Sequence, residues 1–232
     1  MFDKRKKKID NTPSSHPDVC NDSLKGLRLS CDLDENISTI KSLFIDNDTL
    51  ICRSLQNIHD SSRFFLFYSD GMVNSQVINE HIVEPLMNAK FKGKNTTMLN
   101  DLLEKVIQVS EAKICHQVDE LVKSINYGDV ILFMEGQAES VILNSRFFVL
   151  RGITEPPNEK VLSGPREGFS EALMTNLSMV RRRIRSHELK MKMKDMGRRT
   201  HTQICICYIE GIVDKKVLKE LYRCLLYTSR CV

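Results

Sequence analysis

Tryptophan is absent from this 232-residue chain and aromatic residues make up only 6% of it. That speaks against a carbohydrate-binding or antibody-like surface built on aromatic anchors. No run of about 18 apolar residues occurs, so no segment of the given sequence is expected to span a bilayer. The first ten residues are basic but no apolar stretch follows them, so no secretory signal is expected. Walker loops, G-x-G-x-x-G and a Ser-His-Asp arrangement are also missing. The six histidines are scattered. Cys115 and His116 are adjacent, and on a strand they would face opposite ways. The sequence thus offers no catalytic constellation, no metal set and no cofactor, and a non-enzymatic role is expected.

Eight cysteines are present, yet C-x-x-C does not occur and Cys20, Cys31, Cys52 and Cys115 are isolated. Cys205 and Cys207 alternate along a strand-like run, which turns both thiols to one face. The expectation is a reduced, buried pair in a reducing, cytosolic compartment. The net charge of +4 is too small to identify a nucleic-acid binder. Its distribution is more telling, with one basic run at Lys4, Arg5, Lys6, Lys7 and Lys8 and a second basic concentration over residues 166–199.

Apolar periodicity organises the rest. Residues 1–30 are polar, charged and poor in apolar area, which predicts a flexible basic tail. Helical spacing starts near Asp34, a plausible cap, with Ile37, Ile40 and Phe44 on one face. Residues 50–56 read as a strand. The run RFFLFYS at 63–69 reads as a buried central strand closed by Asp70-Gly71. Further helices are predicted at 73–86, 98–109 and 119–125, and strands at 129–134 and 139–143. Strand and helix alternation followed by a hairpin predicts an α/β fold with mixed sheets. Gly152, Pro156, Pro157, Gly164 and Pro165 mark residues 152–165 as a linker. The linker divides an α/β subdomain at 31–151 from a second at 166–223. That second unit is predicted to hold a helix over 167–184, with an apolar stripe of Phe169, Leu173, Leu177, Val180 and Ile184. Alternating strands at 187–194 and 201–209 and a helix from Asp214 to 223 complete it.

The last nine residues, from Cys224 to Val232, read like translated library-adapter sequence, so the natural chain is expected to continue differently past Arg223.

The stretch GPREGFSEALMTNLSMVRRRIRSHEL at 164–189 resembles the signature of the A-subunit family of nutrient germinant receptors, the GerA family. Arg151-Gly152-Ile153 and Glu155-Pro156 before it agree with the family, as do Gly197, Thr200, Thr202, Tyr208 and Gly211-Ile212 after it. Ser163 and His187 depart from the pattern, standing where a basic residue and a proline are usual. The resemblance covers residues 35–223. It implies a cytosolic N-terminal region of two subdomains, placed on the cytoplasmic side of the spore inner membrane ahead of membrane helices. It also implies receptor B and C subunits and further A subunits as partners.

Candidate interface residues follow on this second unit. Arg166 is expected to reach a neighbouring subdomain or subunit from the Gly-Pro turn, with Glu167 supplying negative charge to the helix start. Arg181, Arg182 and Arg183 wrap the last helical turn and suit an acidic protein partner or an anionic leaflet. No nucleic-acid motif accompanies them. The leading expectation is a domain for receptor assembly and signal coupling. The alternative is a small-ligand sensor with a pocket between the subdomains, for which Arg166 and Asn176 supply polar groups.

Overall fold

The computed structural model describes residues 24, 26–90, 97–147 and 168–228. Five strands, β1 (Leu50–Gln56), β2 (Arg63–Ser69), β3 (Ala112–Cys115), β4 (Val130–Met134) and β5 (Ser140–Leu143), form one sheet in the order β1-β2-β4-β5-β3. Every pairing in it is antiparallel. The α/β composition stands, but the five-stranded sheet is not mixed: β1–β2 and β4–β5 close as hairpins, and the longer connections still bring β4 beside β2 and β5 beside β3 in the antiparallel sense.

β2 and β4 are apolar at nearly every position because both faces of the sheet are covered. Phe64, Leu66, Val130, Leu132 and Val141 lie in one buried cluster, and Phe65, Phe67, Ile131, Phe133 and Ile142 in a second. Strand side chains alternate between faces, so a run without polar residues is what two coverings require. One covering consists of α2 (Ser75–Ile78), α3 (Glu84–Asn88) and the π-helical turn Asn79–Val83 between them, joined by α4 (Thr97–Asp101) and a second π-helical turn, Leu102–Val106. The other consists of α1 (Leu33–Leu43) and α5 (Val118–Tyr127).

The cap of α1 is Asp32, not Asp34: its carboxylate accepts from the backbone N–H groups of Asp34 and Glu35. Packing also starts before the helix. Residues 1–23 lie outside the described residues, but Leu24 and Leu29, read from sequence as part of the polar tail, are buried beside α1 and α5. α5 ends on Gly128, whose φ of +96° is a conformation that costs a side chain dearly. A Cβ there would also stand 3.1 Å from the Met72 carbonyl oxygen.

The second sheet is a single antiparallel hairpin of β6 (Leu189–Met196) and β7 (Thr202–Ile209). α6 (Leu173–Arg183) covers one face through Leu177, packed with Leu189 and Met191. α7 (Lys215–Thr228) reaches the lysine-bearing parity, where Lys194 Nζ lies 4.5 Å from the Tyr222 ring. Of the alternating lysines, Lys190 is buried rather than half-exposed and donates to the Leu43 carbonyl.

α6 begins six residues later than the sequence pattern suggests, and Phe169 is exposed instead of joining its apolar stripe. Local hydrogen bonds explain the late start. Asn176 accepts from the Ser170 N–H at 2.7 Å and donates to the Ser170 carbonyl at 2.6 Å, fixing the incoming chain in a non-helical form. Asn36 and Ser30 make the same pair of bonds before α1, at 2.9 and 2.7 Å. Both helices therefore start from one local pattern, S-x-x-L-x-x-N, in which an early helical Asn satisfies backbone groups outside the helix.

Phe67 is fully buried, with its ring edge-on to Phe133 at 5.8 Å. Phe67→Ala is expected to lower the unfolding free energy by about 3–5 kcal/mol, read from urea denaturation followed by circular dichroism.

Candidate functional site

The two sheets meet at the C-terminal turn of α6. Arg181 sits there with only 2% of its surface exposed. Helical spacing from Leu177 turns its side chain inward, whereas Arg182 is half-buried and Arg183 exposed. One terminal nitrogen of the guanidinium donates to Asn126 Oδ1 at 3.1 Å and to the Ser186 and Leu189 carbonyls at 3.2 and 3.4 Å. The other donates to Asn47 Oδ1 at 3.0 Å. Asn47 and Asn126 belong to the five-stranded half, Ser186 and Leu189 to the hairpin half. A single side chain thus binds both.

All four acceptors are neutral oxygens. Burial pushes the guanidinium down to about 10, and the charges that act in the opposite direction come from the thiols of Cys207 and Cys205. A buried cation without a carboxylate partner is costly unless its donors are used, and here the planar fork lets several be used at once.

The loop after α1 completes the junction. Asn47 bridges Met191 in the parallel sense, and the Asp48 N–H donates to the Met191 carbonyl at 2.9 Å. Asp48 Oδ2 accepts from the Met193 N–H at 2.8 Å, and Lys192 pairs with Asp46. This loop therefore acts as a short third strand against the β6 edge, using N–H and C=O groups that a two-stranded hairpin leaves open. Asp46 has a φ of +60°, which turns the chain into that position. At the other end of the junction, the Tyr127 ring lies between two guanidinium groups, Arg146 at 4.0 Å and Arg185 at 4.3 Å. Arg146 is held in place by a two-point pair with buried Asp129, at 2.7 and 2.9 Å. The Asp70-Gly71 turn packs on α6, where a Cβ at Gly71 would lie 3.3 Å from the Met174 carbonyl oxygen.

Cys205 and Cys207 do share a face, with sulfurs 3.8 Å apart, but the pair is not buried: Cys205 is partly covered and Cys207 exposed. The first proton leaves below the ordinary thiol range. Cys207 is held down to about 7 by the Cys205 thiol donating to it, with Arg181 adding its charge, and the same bond together with burial pushes Cys205 up.

Of the residues proposed from sequence, Arg181 occupies the centre of the junction, Arg182 is half-buried and Arg183 is exposed. Asn176 is committed to Ser170 and directs neither end of its amide at a pocket. Arg166 and Glu167, and the linker at 152–165, lie outside the described residues. A cavity of about 630 Å³ opens at the β3 edge, lined by Arg28, Cys115, His116, Gln117 and Glu120, and not at the junction of the sheets. Asn47, Asn126 and the loop at 46–49 were invisible as partners, since each lies far in sequence from Arg181.

Comparison with known proteins places these features in context. The family model described as Bacillus/Clostridium GerA spore germination protein matches residues 38–226. Spore germination protein KA of Bacillus subtilis (strain 168) is 31% identical over 194 residues, covering 83% of this chain and 36% of that protein. Spore germination protein B1 of the same organism is 25% identical over 199 residues, covering 85% of this chain and 40% of that protein. The chain therefore spans well under half the length of these relatives. The fold matches the crystal structure of the N-terminal domain of the A subunit of the Bacillus megaterium spore germinant receptor GerK3. The TM-score is 0.66 at 23% identity, covering 86% of this chain and 72% of that one. None of the described helices is long and apolar enough to cross a membrane.

Arg181→Met keeps most of the side-chain volume but leaves four buried acceptors without their donor. It is expected to lower stability by about 1–3 kcal/mol, whereas Arg183→Ala on the exposed side should stay within about 0.5 kcal/mol of wild type. Chemical denaturation of both variants checks the contrast.

Proposed function

The chain belongs to the Bacillus/Clostridium GerA spore germination protein family, and from that premise we propose that it is the N-terminal region of a germinant-receptor A subunit, serving receptor assembly and signal coupling. The observation that carries this reading is the Arg181 junction. Separately packed cores, two on the faces of the five-stranded sheet and one on the hairpin, are tied chiefly through one buried guanidinium and the loop at 46–49. A displacement applied to either half must strain those bonds, so the junction transmits load between the halves in place of an enzymatic step. The halves correspond to two subdomains, with residues 152–165 as the joint between them.

The outer turn of α6 is the assembly surface in this proposal. Arg181 faces inward, leaving Arg182 and Arg183 to meet a partner beside the inner membrane on its cytoplasmic side. Receptor B and C subunits and neighbouring A subunits are the partners the family relationship suggests, with an anionic leaflet as a further neighbour. Arg166 and Glu167, at the start of the same segment, are assigned to this interface. A ligand sensor with its pocket between the subdomains is less well supported, because Arg181 and Asn176 already spend their described hydrogen bonds on neighbouring protein groups.

Charge reversal at both outer positions, Arg182→Glu with Arg183→Glu, in a full-length A subunit carrying this segment tests the proposal. Expected is a fall in receptor abundance or germination rate in spores, while the isolated segment keeps its circular-dichroism spectrum. Normal abundance and normal germination in that variant would overturn the assembly role.

A further inference from the structure

The hairpin sheet brings three soft donors to one face. Cys205 stands directly across from Met193, and Cys207 directly across from Met191. Directly opposed residues of an antiparallel pair share a face, with Cβ atoms about 4.5–5.5 Å apart. Met191 is buried and its sulfur accepts from the Thr49 hydroxyl at 3.8 Å. Met193 is only half-buried. It is the half-buried thioether residue that the register sets beside the cysteine pair.

We propose that Cys205, Cys207 and Met193 form a binding site for a soft monovalent metal cation of the Cu(I) class. The separation of the two cysteine sulfurs is 3.8 Å. Two sulfurs bound at about 2.3 Å from one ion sit roughly 3.8 Å apart along a tetrahedral edge, so the pair is already spaced to share an ion. Thiolate and thioether donors together favour Cu(I) over harder divalent ions. Among the described residues no group of three or more His, Cys, Asp and Glu is gathered anywhere, so a closed zinc site of the usual donor types is not what the chain offers. Exposed Cys207 gives an ion its way in.

Charge supports the same assignment. Binding releases one proton from each thiol to solvent as two metal–sulfur bonds form, and a monovalent ion offsets one of the two thiolate charges. The complex is left with a single negative charge. Arg181, beneath the same sheet face, is a buried cation whose hydrogen bonds all end on neutral oxygens. The loaded site would give that cation a counter-charge that no carboxylate supplies. The site was not legible from spacing, because Met193 is brought to the cysteines only by the β6–β7 register.

The test is anaerobic titration of the fully reduced chain with Cu(I) buffered by bicinchoninate, with native mass spectrometry for stoichiometry. Wild type should withhold one Cu(I) per chain from the chelator. Cys205→Ser with Cys207→Ser should abolish that equivalent, while Cys31→Ser with Cys52→Ser should retain it. Met193→Leu, which preserves volume on a half-buried position, should weaken retention by about 10-fold. A matching thermal melt for each variant separates loss of donors from loss of fold, and Cys207→Ser alone, at an exposed position, serves if the double variant unfolds. Equal retention by wild type and the cysteine-pair variant would overturn the site, as would Zn(II) being held as tightly as Cu(I). Failure of this test leaves the receptor reading untouched, since germination and abundance do not enter it.

Discussion

A guanidinium taken out of water loses a large hydration energy, and it stays buried only where its donors find partners in a fixed arrangement. Arg181 meets that condition at its two terminal nitrogens, though not at its buried Nε, by recruiting acceptors from both halves of the chain: two asparagine side chains of the five-stranded half and two backbone carbonyls of the hairpin half. Neither half alone could satisfy it. The hairpin with α6 has a small core of Leu177, Leu189 and Met191, and a two-stranded sheet is marginal by itself. Its order depends on docking. The loop at 46–49 does the complementary job for the backbone by covering the open edge of β6.

α6 is consequently used on two sides. Its inner face presents Leu177 to the hairpin core and Arg181 to the junction; its outer turn presents Arg183 to solvent. Three consecutive arginines are therefore not one basic patch. Helical geometry moves each successive residue about 100° around the axis, so the first is buried, the second half-buried and the third exposed. Under the proposed assembly role, a partner gripping the outer turn would act on the same helix that locks the two halves together.

The sulfur pair adds a second dependence on the junction. Cys205 and Cys207 shift each other's proton affinity through their shared hydrogen bond, with Arg181 favouring the thiolate of both, and thiolate charge there would in turn favour the Arg181 cation. Whatever changes the charge on the sulfurs also changes the energy of the buried cation that ties the halves.

Local pattern carried far. The strands at 50–56 and 63–69 were readable to the residue, since alternation, β-branched and aromatic content and the Asp70-Gly71 turn all act over a few positions. The GerA signature at 164–189 was also readable, and with it the family. Where the sequence misled, long-range or competing local bonds were responsible. The arginine helix starts at Leu173 because Asn176 ties down Ser170, and the sheets are antiparallel because pairing order depends on which hairpins close. Arg181 looked no different from Arg182 and Arg183, since its acceptors Asn47 and Asn126 lie far away along the chain. Periodicity and turn chemistry determined the elements and the kinship; only tertiary packing decided which arginine is buried, because burial depends on what the fold brings alongside.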